Sequence, residues 1–279
     1  MGDPPVEGAG ALTAVAVLGS TTAGGAPVSA RQRALLAALV LRRDGADTPT
    51  LVDAVWGGRA PASARQSLHN QVSRLRAQWG SDLIVTEGTV YRLTAPTDVD
   101  HVTTVADRWL GRPAEVRAVT ALRSAGAAFR GTPYADLLDH ELVEPERARL
   151  TELRVQLVEL LARTLLVAGD TNRAAQELVM LTELAPFSDR SWALLMVALQ
   201  RAGRRSDALA AYERAATLLR RELGVEPSPA LQQLRAEVEA GDRRLADELV
   251  PPPDAATRRG SCRPSSRARF RPATCGLRS

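Results

Sequence analysis

The pair Ala168-Gly169 recurs 34 residues later as Ala202-Gly203, and its surroundings recur with it. Leu160, Leu161 and Leu165 superpose on Leu194, Leu195 and Leu199, and Ala174 superposes on Ala208. A helix end with a glycine, followed by a small residue one turn into the next helix, is the period of tetratricopeptide-like helical hairpins. Small residues at repeated positions let paired helices approach closely, and each pair needs a neighbour to bury its open face. The spacing therefore predicts an all-α array over the second half of the chain. A third copy, around Leu122 to Phe129, is much weaker. Tyr212, in the most repeat-like stretch, reads as a packing residue.

The first third does not share this pattern. Ala14 to Leu18 reads as a short strand, and Gly19 to Pro27 as a loop. Gly19 and Gly24 have the spacing of a phosphate-binding loop, but Gly25-Ala26 stand where lysine and a hydroxyl residue are needed. A turn between strands is the expected reading. Ser29 is an N-cap for a helix with Ala34, Leu35, Ala38, Leu39 and Leu41 inside, and Gly45 is its C-cap. Thr48-Pro49 open a shorter helix holding Leu51, Val52, Val55 and Trp56, stopped by Gly57-Gly58.

Pro61 suits the first turn of a third helix, whose stripe is Leu68, Val72, Leu75 and Trp79. Gly80 closes it. Leu83, Val85, Tyr91 and Leu93 alternate around Glu87-Gly88-Thr89, the pattern of a β-hairpin. Small strands, three helices and a terminal hairpin make a winged helix-turn-helix, a small α+β unit whose third helix enters the major groove. The fold class is thus mainly α, with this unit ahead of the helical repeats.

The polar face of the third helix contains no acid. Gln66, His69, Asn70, Ser73 and Arg74 are the candidate base readers, since amides, imidazole, hydroxyl and guanidinium match base edges. Arg31, Arg33, Ser63, Arg65 and Arg76 are candidate phosphate contacts, and Arg92 is a candidate wing contact. Such a face also suits plain solvation; the order of elements upstream favours the nucleic-acid reading.

Charge is distributed accordingly. All 36 Lys+Arg residues are arginine, so every basic site is a permanently charged planar fork, and lysine-dependent chemistry is excluded. Residues 29–95 carry a net +4, residues 96–250 a net −4, and residues 251–279 a net +6. Only the first of the two folded units is expected to face a polyanion. The tail beyond Pro251-Pro-Pro253 holds scattered arginines without apolar periodicity and is expected to be disordered, adding at most non-specific DNA affinity. Residues 1–10 are expected to be disordered too.

Cys262 and Cys275 are the only cysteines, which suits a reducing compartment and gives neither a disulfide framework nor a zinc set. Asp3 and Glu7 stand where a signal peptide would be positive, and no run reaches the roughly 18 apolar residues of a membrane span. A cytoplasmic protein without membrane contact is expected. His69, His101 and His140 fall on separate elements with no catalytic motif near them, so no enzyme, cofactor or metal is expected.

Several of these segments together resemble one family, the Streptomyces antibiotic regulatory proteins. The matching residues are Ala30 to Leu39, Leu51 to Trp56, Ser63 to Leu68, Val72 to Arg76 and Tyr91 to Leu93. Arg221-Glu-Leu-Gly-Val-Glu-Pro-Ser-Pro229 is similar to the close of that family's bacterial transcriptional activation domain. One departure is Thr89-Val90 ahead of Tyr91, where members usually carry glycine. The resemblance implies a pathway-specific activator of secondary metabolism, including antibiotic biosynthesis. It would bind double-stranded DNA as a homodimer on directly repeated promoter sites and contact RNA polymerase holoenzyme. The expected domains are 11–96 for DNA binding and 97–250 for activation. The alternative is a repeat-based interaction scaffold whose first domain has lost sequence-specific binding.

Overall fold

The computed structural model describes residues 14–242 and 244–250; the expectations for residues 1–10, for the tail and for Cys262 and Cys275 lie outside them. The chain begins with three short antiparallel strands, β1 (Val15–Ala16), β2 (Thr22–Ala23) and β3 (Ala26–Pro27). The expected loop thus holds two strands. Gly24-Gly25 form the tight turn between them, and Gly24 at φ +52 lies so close to the Trp79 indole that a Cβ would sit 2.6 Å from it.

Helix α1 (Ala30–Leu41) starts with a reciprocal capping box: Ser29 Oγ accepts from Gln32 N, and Gln32 Oε1 accepts from Ser29 N at 3.0 Å. Leu35 to Val40 are all buried, so this helix is enclosed on most sides, and Leu41 is only partly so. Its C-cap is Arg42, not Gly45; the glycine instead sits at φ +107 before β4 (Ala46–Asp47). Asp47 caps α2 (Thr48–Trp56) through Thr50 N.

Helix α3 runs Ala64–Trp79 with Ser63 as N-cap, so Pro61 lies in the preceding turn and not in the helix. A 3-10 turn at Ser81–Leu83 leads into β5 (Ile84–Glu87), which pairs with β6 (Val90–Leu93). Leu83 therefore lies outside the hairpin, and the buried partner of Tyr91 and Leu93 is Ile84; Val85 is half-exposed. β4 joins the other edge of β6, giving a three-stranded wing sheet in the order β4-β6-β5. Leu68, Val72 and Leu75 pack beneath it in one core with Leu35, Leu39 and Leu51.

The rest is helical. α4 (Asp98–Trp109) opens with a Thr97/Asp100 capping box and buries Val102, Val105, Ala106 and Trp109. α5 (Val119–Ala128) follows, then the pairs α6 (Glu144–Val167) with α7 (Thr171–Leu184) and α8 (Asp189–Arg201) with α9 (Arg205–Leu223). All six repeated leucines and both repeated alanines are buried at the helix–helix seams. α10 (Pro229–Ala240) and the short α11 (Arg244–Leu249) close the array. The weak third copy is α5. The 34-residue register fails there because residues 129–143 are used for something else.

That segment is bonded to the N-terminal sheet. Arg130, Tyr134 and Ala135 donate their backbone N–H groups to the carbonyls of Leu18, Val17 and Gly19 at 2.7 to 3.0 Å. Asp98, 4% exposed, accepts from Val17 N and Leu18 N at 2.8–2.9 Å and from Arg130 at 3.2 Å. Asp136 accepts from Thr21 N, Thr21 Oγ1 and Arg33. His140 Nε2 donates to the Ala54 carbonyl at the end of α2 at 2.8 Å. The first sheet is thereby tied to the helical array by backbone and carboxylate together.

Candidate nucleic-acid interface

Helix α3 presents two adjoining polar stripes, because Ala64, Leu68, Val72 and Leu75 turn inward. Arg65, His69, Ser73 and Arg76 run along the side next to the wing. With Thr48 and Pro49 of α2, and Thr86 and Tyr91 of the wing, they line an open groove of about 750 Å³. Gln66, Asn70 and Arg74 lie one step around the helix, exposed to solvent, with Ser63 at its N-terminal end. No acid lies on either stripe; Asp47 at the groove edge is occupied as the cap of α2.

The side chains differ in how far they are already engaged. Arg65 and Arg74 make no hydrogen bond or ion pair among the described residues, so both guanidiniums are free for a ligand. Gln66 Nε2 donates to Asn70 Oδ1 at 3.3 Å, an i,i+4 contact that aligns two amides. Arg76 donates to the Ile84 carbonyl at 2.8 Å and to Thr86 Oγ1 at 2.7 Å, so it ties α3 to β5. Arg92 donates to Glu87 and to the Asp44 carbonyl, both at 3.3 Å. Arg31 stacks over Trp56 with its guanidinium carbon 5.7 Å from the ring centre, on the exposed side of α1.

Arg33 sits elsewhere. It is paired with Asp136 at 3.3 Å in the seam with the helical array, so α3 and Arg33 do not share a surface through that contact. Thr86 and Tyr91, by contrast, belong to the groove although sequence reasoning gave them no site role. Their signal was present but indirect: both project from a hairpin whose pairing sets Thr86 opposite Tyr91. Nothing in the sequence pattern marks Asp136, because a single acid in a loop has no periodicity to read.

Residues 100–239 match the bacterial transcriptional activator domain family, half of the chain. The regulatory protein DnrI of Streptomyces peucetius is 30% identical over 234 residues, an alignment spanning 86% of that protein. The chain belongs to the Streptomyces antibiotic regulatory protein family. The regulatory protein AfsR of Streptomyces griseus is 35% identical over 80% of this chain, and the chain spans only 24% of AfsR's length. A solved structure, Mycobacterium tuberculosis EmbR in complex with a low-affinity phosphopeptide, superposes with a TM-score of 0.69 at 28% identity. It covers 88% of this chain and 69% of the EmbR chain. These relatives are regulatory proteins, and the winged unit followed by a helical array is the arrangement shared with EmbR. Among the described residues, no helix is long and apolar enough to cross a membrane, and no group of three or more His, Cys, Asp or Glu side chains could hold a metal ion.

Proposed function

We propose that this chain is a sequence-specific DNA-binding transcriptional activator, with α3 in the major groove and the β5–β6 wing beside it. The observation that carries this reading is the solvent face of α3. Arg65, Gln66, His69, Asn70, Ser73 and Arg74 are all exposed there without an acid among them. Gln66, His69, Asn70, Ser73 and Arg74 read base edges, while Arg65, Ser63 and Arg31 hold phosphates. Arg76, Arg92 and Arg33 contribute first by holding the wing and the domain seam, as their existing bonds indicate.

In this reading residues 11–96 bind DNA and residues 97–250 form the activation domain, whose first helix, α4, packs against β1 and α5. By family, the target is a pair of directly repeated promoter sites of a secondary-metabolite pathway, occupied by a homodimer that contacts RNA polymerase holoenzyme. No catalytic role is assigned to the histidines: His69, His101 and His140 are bonded to Tyr91, Ser124 and the Ala54 carbonyl.

Selection from a genomic fragment library with the full chain, repeated at rising salt, tests the proposal. Enriched direct repeats are expected, with Arg74→Ala erasing preference at one base step. Arg65→Ala should lower affinity uniformly and reduce the salt slope by about 1. Salt-sensitive binding with no enriched site would sink the activator reading and leave the helical array as the functional part.

A further inference from the structure

The wing tyrosine is bonded to the recognition helix. Tyr91 Oη lies 2.9 Å from His69 Nδ1, and the two rings meet edge to face at 67° with centroids 6.0 Å apart. Tyr91 is 4% exposed and its backbone is held on both sides, paired with Ala46 of β4 and Thr86 of β5. His69 by contrast is exposed, and lines the groove one turn beyond Arg65.

Counting acceptors favours one direction for this hydrogen bond. The tyrosine hydroxyl has one proton, and among the described residues its only bonded partner is His69 Nδ1. The hydroxyl can donate to a lone pair on Nδ1 or accept from an Nδ1–H, and only the first arrangement gives its proton an acceptor among the described residues. A neutral imidazole that accepts at one nitrogen carries its proton on the other. In that arrangement Nε2 is an N–H donor, and it has no bonded partner among the described residues.

Resting on the DNA-binding reading above, we propose that Tyr91 is a positioning residue for base recognition. It locks His69 in the Nε2–H form, so that the ring reads a hydrogen-bond acceptor in the major groove. Guanine N7 and O6, adenine N7 and thymine O4 can each accept from this donor, whereas the cytosine edge presents only an amino donor there and is refused. A histidine free to switch tautomers would offer either a donor or an acceptor and would discriminate poorly. The selectivity of an exposed helix residue is then set by a buried residue of the wing, and the wing takes part in major-groove readout without touching a base.

The experiment is a randomised-site selection with the full chain, comparing wild type, His69→Ala, Tyr91→Phe and the double variant. Tyr91→Phe keeps the ring and removes only the hydroxyl. Wild type is expected to disfavour cytosine at one position by about five-fold, the worth of one net hydrogen bond. His69→Ala and Tyr91→Phe should both flatten that same position, the double variant should do no more, and all other positions and the affinity for random DNA should persist. If Tyr91→Phe keeps the preference that His69→Ala removes, or weakens every position alike, the positioning role is wrong while DNA recognition stands. No preference at any position in the wild type would overturn both readings.

Discussion

The Arg33 guanidinium of α1 donates to Asp136 Oδ2 at 3.3 Å, across 103 residues of sequence, where the same carboxylate also accepts from Thr21 N at 3.0 Å and Thr21 Oγ1 at 2.9 Å. One acid thus collects donors from the first sheet and the first helix and fixes both against the segment between α5 and α6. The two carboxylates of this seam, Asp98 and Asp136, hold the two ends of the loop between β1 and β2, at Val17-Leu18 and at Thr21, and the strands themselves are only two residues each. Two-residue strands have little pairing energy of their own, so their position depends on these side chains.

Replacing Asp136 by alanine orphans the Thr21 amide and hydroxyl, and Thr21 is 1% exposed. The expected loss is about 1–3 kcal/mol of unfolding free energy. Arg33→Ala, which removes a partly solvated ion pair, should cost under about 1 kcal/mol. Chemical denaturation of both variants measures the asymmetry; equal losses would mean that the ion pair and not the backbone cap holds the seam.

Asp98 gives the pH dependence. Burial pushes its carboxyl above the ordinary carboxylate range, an effect only partly offset by the Leu18 and Val17 amides and by Arg130. A folded-state value above the unfolded one means that the folded protein holds the proton more tightly. The group's stabilising contribution is therefore full below the unfolded value and is lost as pH rises through the folded value. Against Asp98→Asn, which cannot titrate, the wild type should lose relative stability over that rise. Urea midpoints taken from pH 4 upward on both proteins, about one unit apart, check the sign.

Gly45 supports the wing. At φ +107, an added Cβ would lie 2.6 Å from Val90 Cγ1 and 3.2 Å from the Tyr91 carbonyl oxygen. Gly45→Ala combines left-handed backbone strain with a push on β6, for an expected loss of about 2 kcal/mol or more. Because Tyr91 lies on that strand, base preference should fall together with stability. Thermal unfolding and site selection on the same preparation test the coupling.

The elements and their faces were legible in the sequence because they rest on local periodicity and capping. The Ser29 cap, the Leu68-Val72-Leu75 stripe, the acid-free face of α3 and the 34-residue register over α6–α9 are all patterns of residue spacing, and each is found where its spacing puts it. Errors fell at boundaries, where tertiary pairing decides: Gly45 was free to leave the helix cap because β4 pairs with β6, and Ile84 replaced Val85 inside because the 3-10 turn consumes Leu83. What only the tertiary structure decided is how the arginines are used. By composition they are alike, all charged and all forked; folding brings Arg33 to Asp136 and Arg76 to Ile84 and Thr86, and leaves Arg65 and Arg74 without a bonded partner among the described residues. A side chain's partner is set by residues far away along the chain, and that information lies in the packing of α1, α3 and the wing rather than in any local pattern.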